Sequence, residues 1–234
     1  MLAGAVAAGL VGAAAAAAYG VRAKGSQWFC ESVSHGSPER RAIALTFDDG
    51  PSAGTLDLLD ILSRHGARAT FFQCGASVRR YPQIARAVLE GGHELGNHTD
   101  SHPLLCLRTP DNIRREIRRA QATIEEATGS RPKWFRPPYG VRWFGLRPAL
   151  AENGLFTVMW SILGRDWMLP ADGIVRRVQP KVRSGSIICL HDGREARPQA
   201  DIQETVHAVR RLVPALQEEG YELVTLSQLL CRRK

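Results

Sequence analysis

The sequence predicts an α/β fold in which a parallel sheet is covered by helices. Three observations predict it. From about residue 40 onward, apolar runs of strand length alternate with stretches of helical periodicity. The connections between them are short and rich in Gly, Pro and Asp. No repeat or long linker divides the 234 residues, so they are read as one domain. Pattern alone leaves a barrel and an open doubly wound sheet equal.

The first strand is Ala42 to Phe47, an apolar run stopped by Gly50-Pro51, and the second is Ala69 to Gln73. Ile84, Ala85, Val88 and Leu89 form a helical stripe that ends at Gly91-Gly92, and His93 to Gly96 reads as a short strand. Between Asp111 and Thr128, the residues Ile113, Ile117, Ala120, Ile124 and Ala127 share one helix face, and Gly129 stops it. Further strands are expected at Trp134 to Arg136, Phe156 to Ile162, Ser186 to Leu190 and Glu222 to Leu226. Val206, Val209, Leu212, Val213 and Leu216 mark the helix between the last two.

Hydrophobic residues make up 44% and charged residues 23%, which suits a soluble core. The first 21 residues carry no charge, so the net charge of +8 belongs to the rest. Residues 1–22 are read as a signal peptide or membrane anchor, 23–39 as an entry segment and 40–234 as the folded catalytic domain. An extracytoplasmic protein, secreted or tethered through residues 1–21, is expected, although Arg22 and Lys24 oppose that orientation under the positive-inside rule. The basic balance favours anionic surroundings such as envelope polymer. Arg114, Arg115, Arg118 and Arg119 read as a solvated helix face without interleaved aromatics, so no nucleic-acid partner is expected. Five cysteines with no CxxC spacing argue against a zinc ribbon and against a full disulfide framework; Cys30 and Cys231 stand near the two ends as a candidate pair.

Chemistry concentrates where strands end. Asp48 and Asp49 follow the first strand, and two adjacent carboxylates call for a nearby cation, or else form a polar turn with Gly50. His98 and His102 stand four residues apart, a spacing that lets both imidazoles face one point and, with one carboxylate, leaves coordination positions open as catalytic metal sites do. Arg136 opens a rigid R-P-P-Y-G loop and offers a permanent cation to a carboxylate. Asp166 stands beside Trp167 after the next strand, and His191-Asp192 closes the apolar run Ile187 to Leu190.

Taken in order, T-F-D-D-G-P, H-T-D-S-H, R-P-P-Y-G, R-D-W and L-H-D resemble the five motifs of the NodB-like polysaccharide deacetylases, carbohydrate esterase family four, over roughly residues 40 to 230. The resemblance implies a single-domain distorted (β/α) barrel of seven parallel strands with helices outside. It implies metal-dependent removal of acetyl groups from N-acetylglucosamine polymers or acetylated xylan. An acetylated glycan polymer or oligosaccharide is the expected partner of a monomer, and two histidines with one aspartate suit one divalent ion, zinc first, with cobalt, nickel or iron as alternatives. By position, Asp48 resembles the general base and His191 the general acid. Asp49, His98 and His102 resemble the metal ligands. Arg136 and Asp166 resemble the pair that holds and tunes the base. The backbone N–H near Tyr139 resembles an oxyanion donor, while Trp167 and Leu190 would line the acetyl pocket. The fourth motif departs from the frequent D-x-x-D-W, with Leu163 at the first acidic position. Two other readings stand beside this one: a non-catalytic glycan-binding module on the same fold, and a non-haem iron oxygenase using His98-Thr99-Asp100 and a distant histidine.

Overall fold

The computed structural model describes residues 18–23 and 25–230. Their strands are β1 (Ser32–Val33), β2 (Ala42–Asp48), β3 (Ala69–Gln73), β4 (Glu94–Asn97), β5 (Trp134–Phe135), β6 (Phe156–Val158), β7 (Ile162–Leu163), β8 (Ile187–His191) and β9 (Glu222–Leu223). The helices are α1 (Thr55–Arg64), α2 (Gly75–Arg80), α3 (Pro82–Glu90), α4 (Pro110–Thr128), α5 (Leu146–Asn153), α6 (Ala171–Val178), α7 (Gln203–Glu218) and α8 (Leu226–Leu230). Every strand pairing is parallel, in the order β1-β6-β5-β4-β3-β2-β8-β7, with β9 added beside β2. This is the expected α/β barrel in distorted form, with eight strands on the main path where seven were expected.

The distortion comes from the expected strand Phe156 to Ile162, which is two strands. β6 pairs with β1 and β5, whereas β7 pairs with β8 at the opposite end of the sheet. Residues 159–161 cross the gap between those ends: Met159 N–H donates to Val33 O at 2.7 Å and Ser161 N–H to Ile187 O at 3.0 Å. The barrel is closed by this crossing rather than by a continuous ladder.

Both faces of β2 are buried, as its unbroken apolar run requires in a parallel sheet. Ile43, Leu45 and Phe47 pack outward with Ile188 and Leu190 against helix residues such as Leu58, Val206 and Leu212. Ala42 and Ala44 face inward with Phe72, Val158 and Ile187. A separate cluster under α4 joins Ile113 and Ile117 to Phe135, Leu146 and Leu150. Thr109 caps α4 by accepting the Asn112 N–H, and Gly129 ends it at φ 70, the left-handed backbone that favours glycine.

The N-terminal side is more integrated than its reading as an anchor and entry segment implies. Residues 1–17 of the expected anchor lie outside the described residues. Residues 18–22 are helical, and Arg142 ties this stretch to the domain through its backbone N–H to Val21 O and its guanidinium to the Ala23 and Ser26 carbonyls. The entry segment supplies β1. Cys231 lies outside the described residues, while Cys30 is buried as a free thiol beside Thr157.

Candidate active site

The site sits at the C-terminal ends of β2, β4 and β8, the end at which ligands bind in α/β barrels. Asp48 and His191 are direct register partners on the neighbouring strands β2 and β8. Alternation along β2 would send Asp49 to the opposite face. Its backbone instead turns left-handed at φ 75 and swings its carboxylate back toward the barrel mouth. Gly50 then passes so close to Asp192 that any Cβ would collide with the Asp192 carboxylate at 2.1 Å. The turn is what brings both acids to one site.

His98 and His102 do converge, but not through a helical turn. The segment after β4 is a loop in which Thr99 has φ 68 and His102 φ 58. The loop is pinned from below: Asp100 pairs with Arg79 and Arg119, and Glu116 of α4 accepts the N–H groups of Asp100 and Ser101. Asp100, itself buried, is thereby taken up by two more exposed arginines, and the carboxylate that joins the two histidines is Asp49. The His-x-Asp arrangement of an iron oxygenase is therefore not formed here.

Asp49 Oδ1 lies 3.3 Å from His98 Nε2 and 3.0 Å from His102 Nε2, and the three ligand atoms fall within 4.8 Å of one another. Burial opposes ionisation of Asp49, yet the His102 and His98 imidazoles hold it well below the usual carboxylate range. Its second oxygen accepts the Glu195 N–H at 2.8 Å, while Oδ1 is buried without a hydrogen-bond donor. His98 Nδ1 sits 2.6 Å from Arg136 O, which orients Nε2 toward Asp49. Two imidazoles and a carboxylate whose free oxygen faces them fit a divalent cation with open coordination positions.

Arg136 and Asp166, expected as the pair that holds and tunes the base, contact different groups: Arg136 contacts Asp48 and Asp166 contacts His191. Arg136 is fully buried and donates to Asp48 Oδ1 at 2.7 Å, to Thr46 Oγ1 and to the Val158 and Met159 carbonyls. Its guanidinium lies 4.1 Å from the Phe72 ring centroid. Asp166 supports the other side. It accepts from His191 Nδ1 and from the His191 N–H, both at 2.8 Å, and from Thr205 Oγ1 of α7 at 2.7 Å. Burial disfavours the imidazolium, but the charge and hydrogen bond of Asp166, with Asp49 and Asp48 beyond, push His191 up to about 9. Burial likewise opposes ionisation of Asp166, which His191 nevertheless holds below its ordinary value. Beneath the turn, burial raises Asp192 to about 7, against a hydrogen bond from Thr55.

These groups surround a cavity of about 480 Å³. Trp167 lines it and meets the His191 ring edge-on at 5.1 Å. Tyr139 lines it from a left-handed backbone, φ 57, with its ring against His102 and its hydroxyl on Glu195. Leu190 does not line it. It follows the outward face of β8 into the helix-covered core, and Cys189 faces the cavity instead with Sγ 3.4 Å from Asp48 Oδ2. Strand alternation from His191 would have found Cys189. Thr205 lies outside every motif, and Glu195, just past the L-H-D motif, acts on Asp49 through its backbone N–H, so neither left such a signal.

A parallel barrel whose mouth brings Asp49, His98 and His102 together between the Asp48–Arg136 and His191–Asp166 pairs fits a metal-dependent hydrolase of the carbohydrate esterase type. The chain belongs to the polysaccharide deacetylase family, whose match covers residues 35–158. It is 38% identical to a chitooligosaccharide deacetylase of Bradyrhizobium sp., over 81% of this chain and 90% of that one. It is also 38% identical to a peptidoglycan-N-acetylglucosamine deacetylase of Bacillus cereus, over 81% and 88%. A solved CE4-family pseudoenzyme from Bacillus anthracis superposes with a TM-score of 0.78 at 27% identity, covering 86% of this chain and 69% of that one.

Proposed function

We propose that the chain removes N-acetyl groups from an N-acetylglucosamine-containing envelope polysaccharide, releasing acetate. The observation that carries this is the convergence, around one cavity, of Asp49, His98 and His102 between the Asp48–Arg136 and His191–Asp166 pairs. Asp49, His98 and His102 would hold one divalent ion, with zinc the first choice on their donor set and cobalt, nickel or iron also suited. When bound, such an ion supplies Lewis-acid polarisation and acidifies water. Asp48, kept in place by Arg136, accepts a proton from the attacking water, a role worth ~10²–10⁴ in rate. The backbone N–H at Tyr139 donates to the developing oxyanion. His191 carries its proton at neutral pH and delivers it to the nitrogen as the C–N bond breaks. Water and amide give acetate and a free amino sugar. Trp167 and Cys189 bound the space for the acetyl methyl group.

Purified protein with zinc or cobalt is expected to release acetate from acetylated chito-oligosaccharide or peptidoglycan, and Asp48→Asn and His191→Ala to abolish release. Release retained in both variants would overturn the assigned roles. Elemental analysis is expected to find about one divalent ion per chain, lost in His102→Ala, with a lower melting temperature after chelation. Export or tethering through residues 1–21 belongs to the same reading, and fractionation of cells expressing the full chain tests it. The similarity to a pseudoenzyme keeps a non-catalytic glycan-binding module as the second reading; glycan binding without acetate release would establish it.

A further inference from the structure

A second cavity of about 430 Å³ adjoins the catalytic one, and Arg22, Tyr139, Gly140, Trp160 and Leu163 line both. Its remaining wall brings in Arg165, Arg177 and Lys181, and no Asp or Glu lines it. Arg22, Arg165, Arg177 and Lys181 form no salt bridge with the described residues, whereas most arginines of α4 are ion-paired or hydrogen-bonded to a neighbouring side chain. Four cations facing one recess, Arg22, Arg165 and the pair Arg177 and Lys181 on the continuous helical run 171–181, repel each other, an arrangement that an incoming anion relieves. Arg177 is fixed by its Nε–H bond to Leu163 O at 2.8 Å, which sets its guanidinium beside the rim shared with the catalytic cavity. The Leu163 side chain at that rim adds no charge to offset it.

We infer that this recess is a subsite for an anionic substituent, a carboxylate or phosphate, on the sugar next to the one being deacetylated. The inference deepens the deacetylase reading and rests on it. The Trp160 and Tyr139 rings offer apolar walls to the neighbouring sugar while the cations take its charge, so the chain selects acidic amino-sugar polymers over neutral ones.

The test measures acetate release from three matched oligosaccharides: a neutral N-acetylchito-oligosaccharide, a glycan whose alternate sugars carry a free carboxylate, and the methyl ester of that glycan. A phosphorylated chito-oligosaccharide forms a fourth arm and separates phosphate from carboxylate as the preferred anion. The free acid or the phosphate is expected to exceed its uncharged counterpart about tenfold in kcat/KM, equivalent to 1.4 kcal/mol. The preference is expected to lie in KM, as binding equal in ground and transition states requires, and to weaken in high salt. Arg165→Gln/Lys181→Gln and Leu163→Asp are each expected to reduce the ratio of acidic to uncharged kcat/KM at least fivefold. Equal rates on acid and ester together with equal rates on the phosphorylated and neutral oligosaccharides would overturn the subsite and leave the deacetylase reading standing. An unchanged ratio in both variants would also overturn it. No acetate from any arm would overturn the deacetylase reading, and this inference with it.

Discussion

The two sides of the site are the same ion pair built with the roles exchanged. Under the proposed mechanism the carboxylate of Asp48 is the working group, and its cation is Arg136, fully buried and hydrogen-bonded to two carbonyls and a threonine hydroxyl. Under the same mechanism the cation of His191 is the working group, and its carboxylate is Asp166, buried and holding the ring and backbone of the histidine. The difference teaches how each proton is controlled. Arginine stays charged at any working pH, so the base side has a fixed partner. Histidine titrates, so the acid side depends on what Asp166 does to it.

The largest effect should come from breaking the base side. Arg136→Met leaves Asp48 buried opposite no cation, a change that costs about 3–5 kcal/mol when one partner of a buried pair is removed. Chemical denaturation of the variant should show that loss, together with loss of acetate release. Arg136→Lys is expected to recover little, since one ammonium cannot reach Asp48, Thr46, Val158 O and Met159 O together. Wild-type stability in Arg136→Met would show that the pair does not anchor the barrel mouth.

Breaking the acid side should act on pH dependence. His191 is raised from 6.5 to about 9, so its pairing contributes fully to stability below 6.5 and is lost as pH rises through 9. Asp166 is shifted downward, so its share is present above the ordinary carboxylate range and is lost on acidification. Activity that needs the imidazolium should therefore fall above pH 9. Asp166→Asn removes the largest upward influence on His191 and leaves burial acting downward, so the alkaline limb should move toward 6.5. A shift of two pH units corresponds to about 2.7 kcal/mol of lost preference for the imidazolium. Rate profiles from pH 5 to 10 check this, and an unmoved limb would remove Asp166 from the control of His191.

The same contrast explains what was legible in the sequence. Strands β2, β3 and β8 are continuous apolar runs ended by polar residues, so their positions and the acids and histidines at their tips could be read directly. The parallel pairing of β2 with β8, which the sequence does not encode, then places Asp48 beside His191. Supports supplied from a distance could not be read. Thr205 reaches Asp166 from a helix 39 residues away, and Glu195 contributes only a backbone N–H to Asp49. The division of Phe156 to Ile162 into two strands depends on barrel closure, which no local pattern encodes. Leu190, which the family resemblance places in the acetyl pocket, follows the outward face of β8, and the two-residue period of the strand turns Cys189 to the cavity instead.

The smallest effect separates contact from control at Cys189. Its thiol is 3.4 Å from Asp48 Oδ2, on the side of the carboxylate away from the Arg136 bond. Burial first, and then the Asp48 charge, push the thiol well above its ordinary range, so it stays protonated and acts as a weak donor. Arg136 already fixes Asp48, and a thiol adds less than the ~1 kcal/mol of an ordinary hydrogen bond. Cys189→Ala should therefore lower kcat by less than fivefold, and Cys189→Ser should retain it. Because attack requires the thiolate, iodoacetamide should modify native Cys189 slowly compared with the unfolded chain. Rapid alkylation, or a hundredfold loss in Cys189→Ala, would show that the base is governed from both sides of its carboxylate rather than by Arg136 alone.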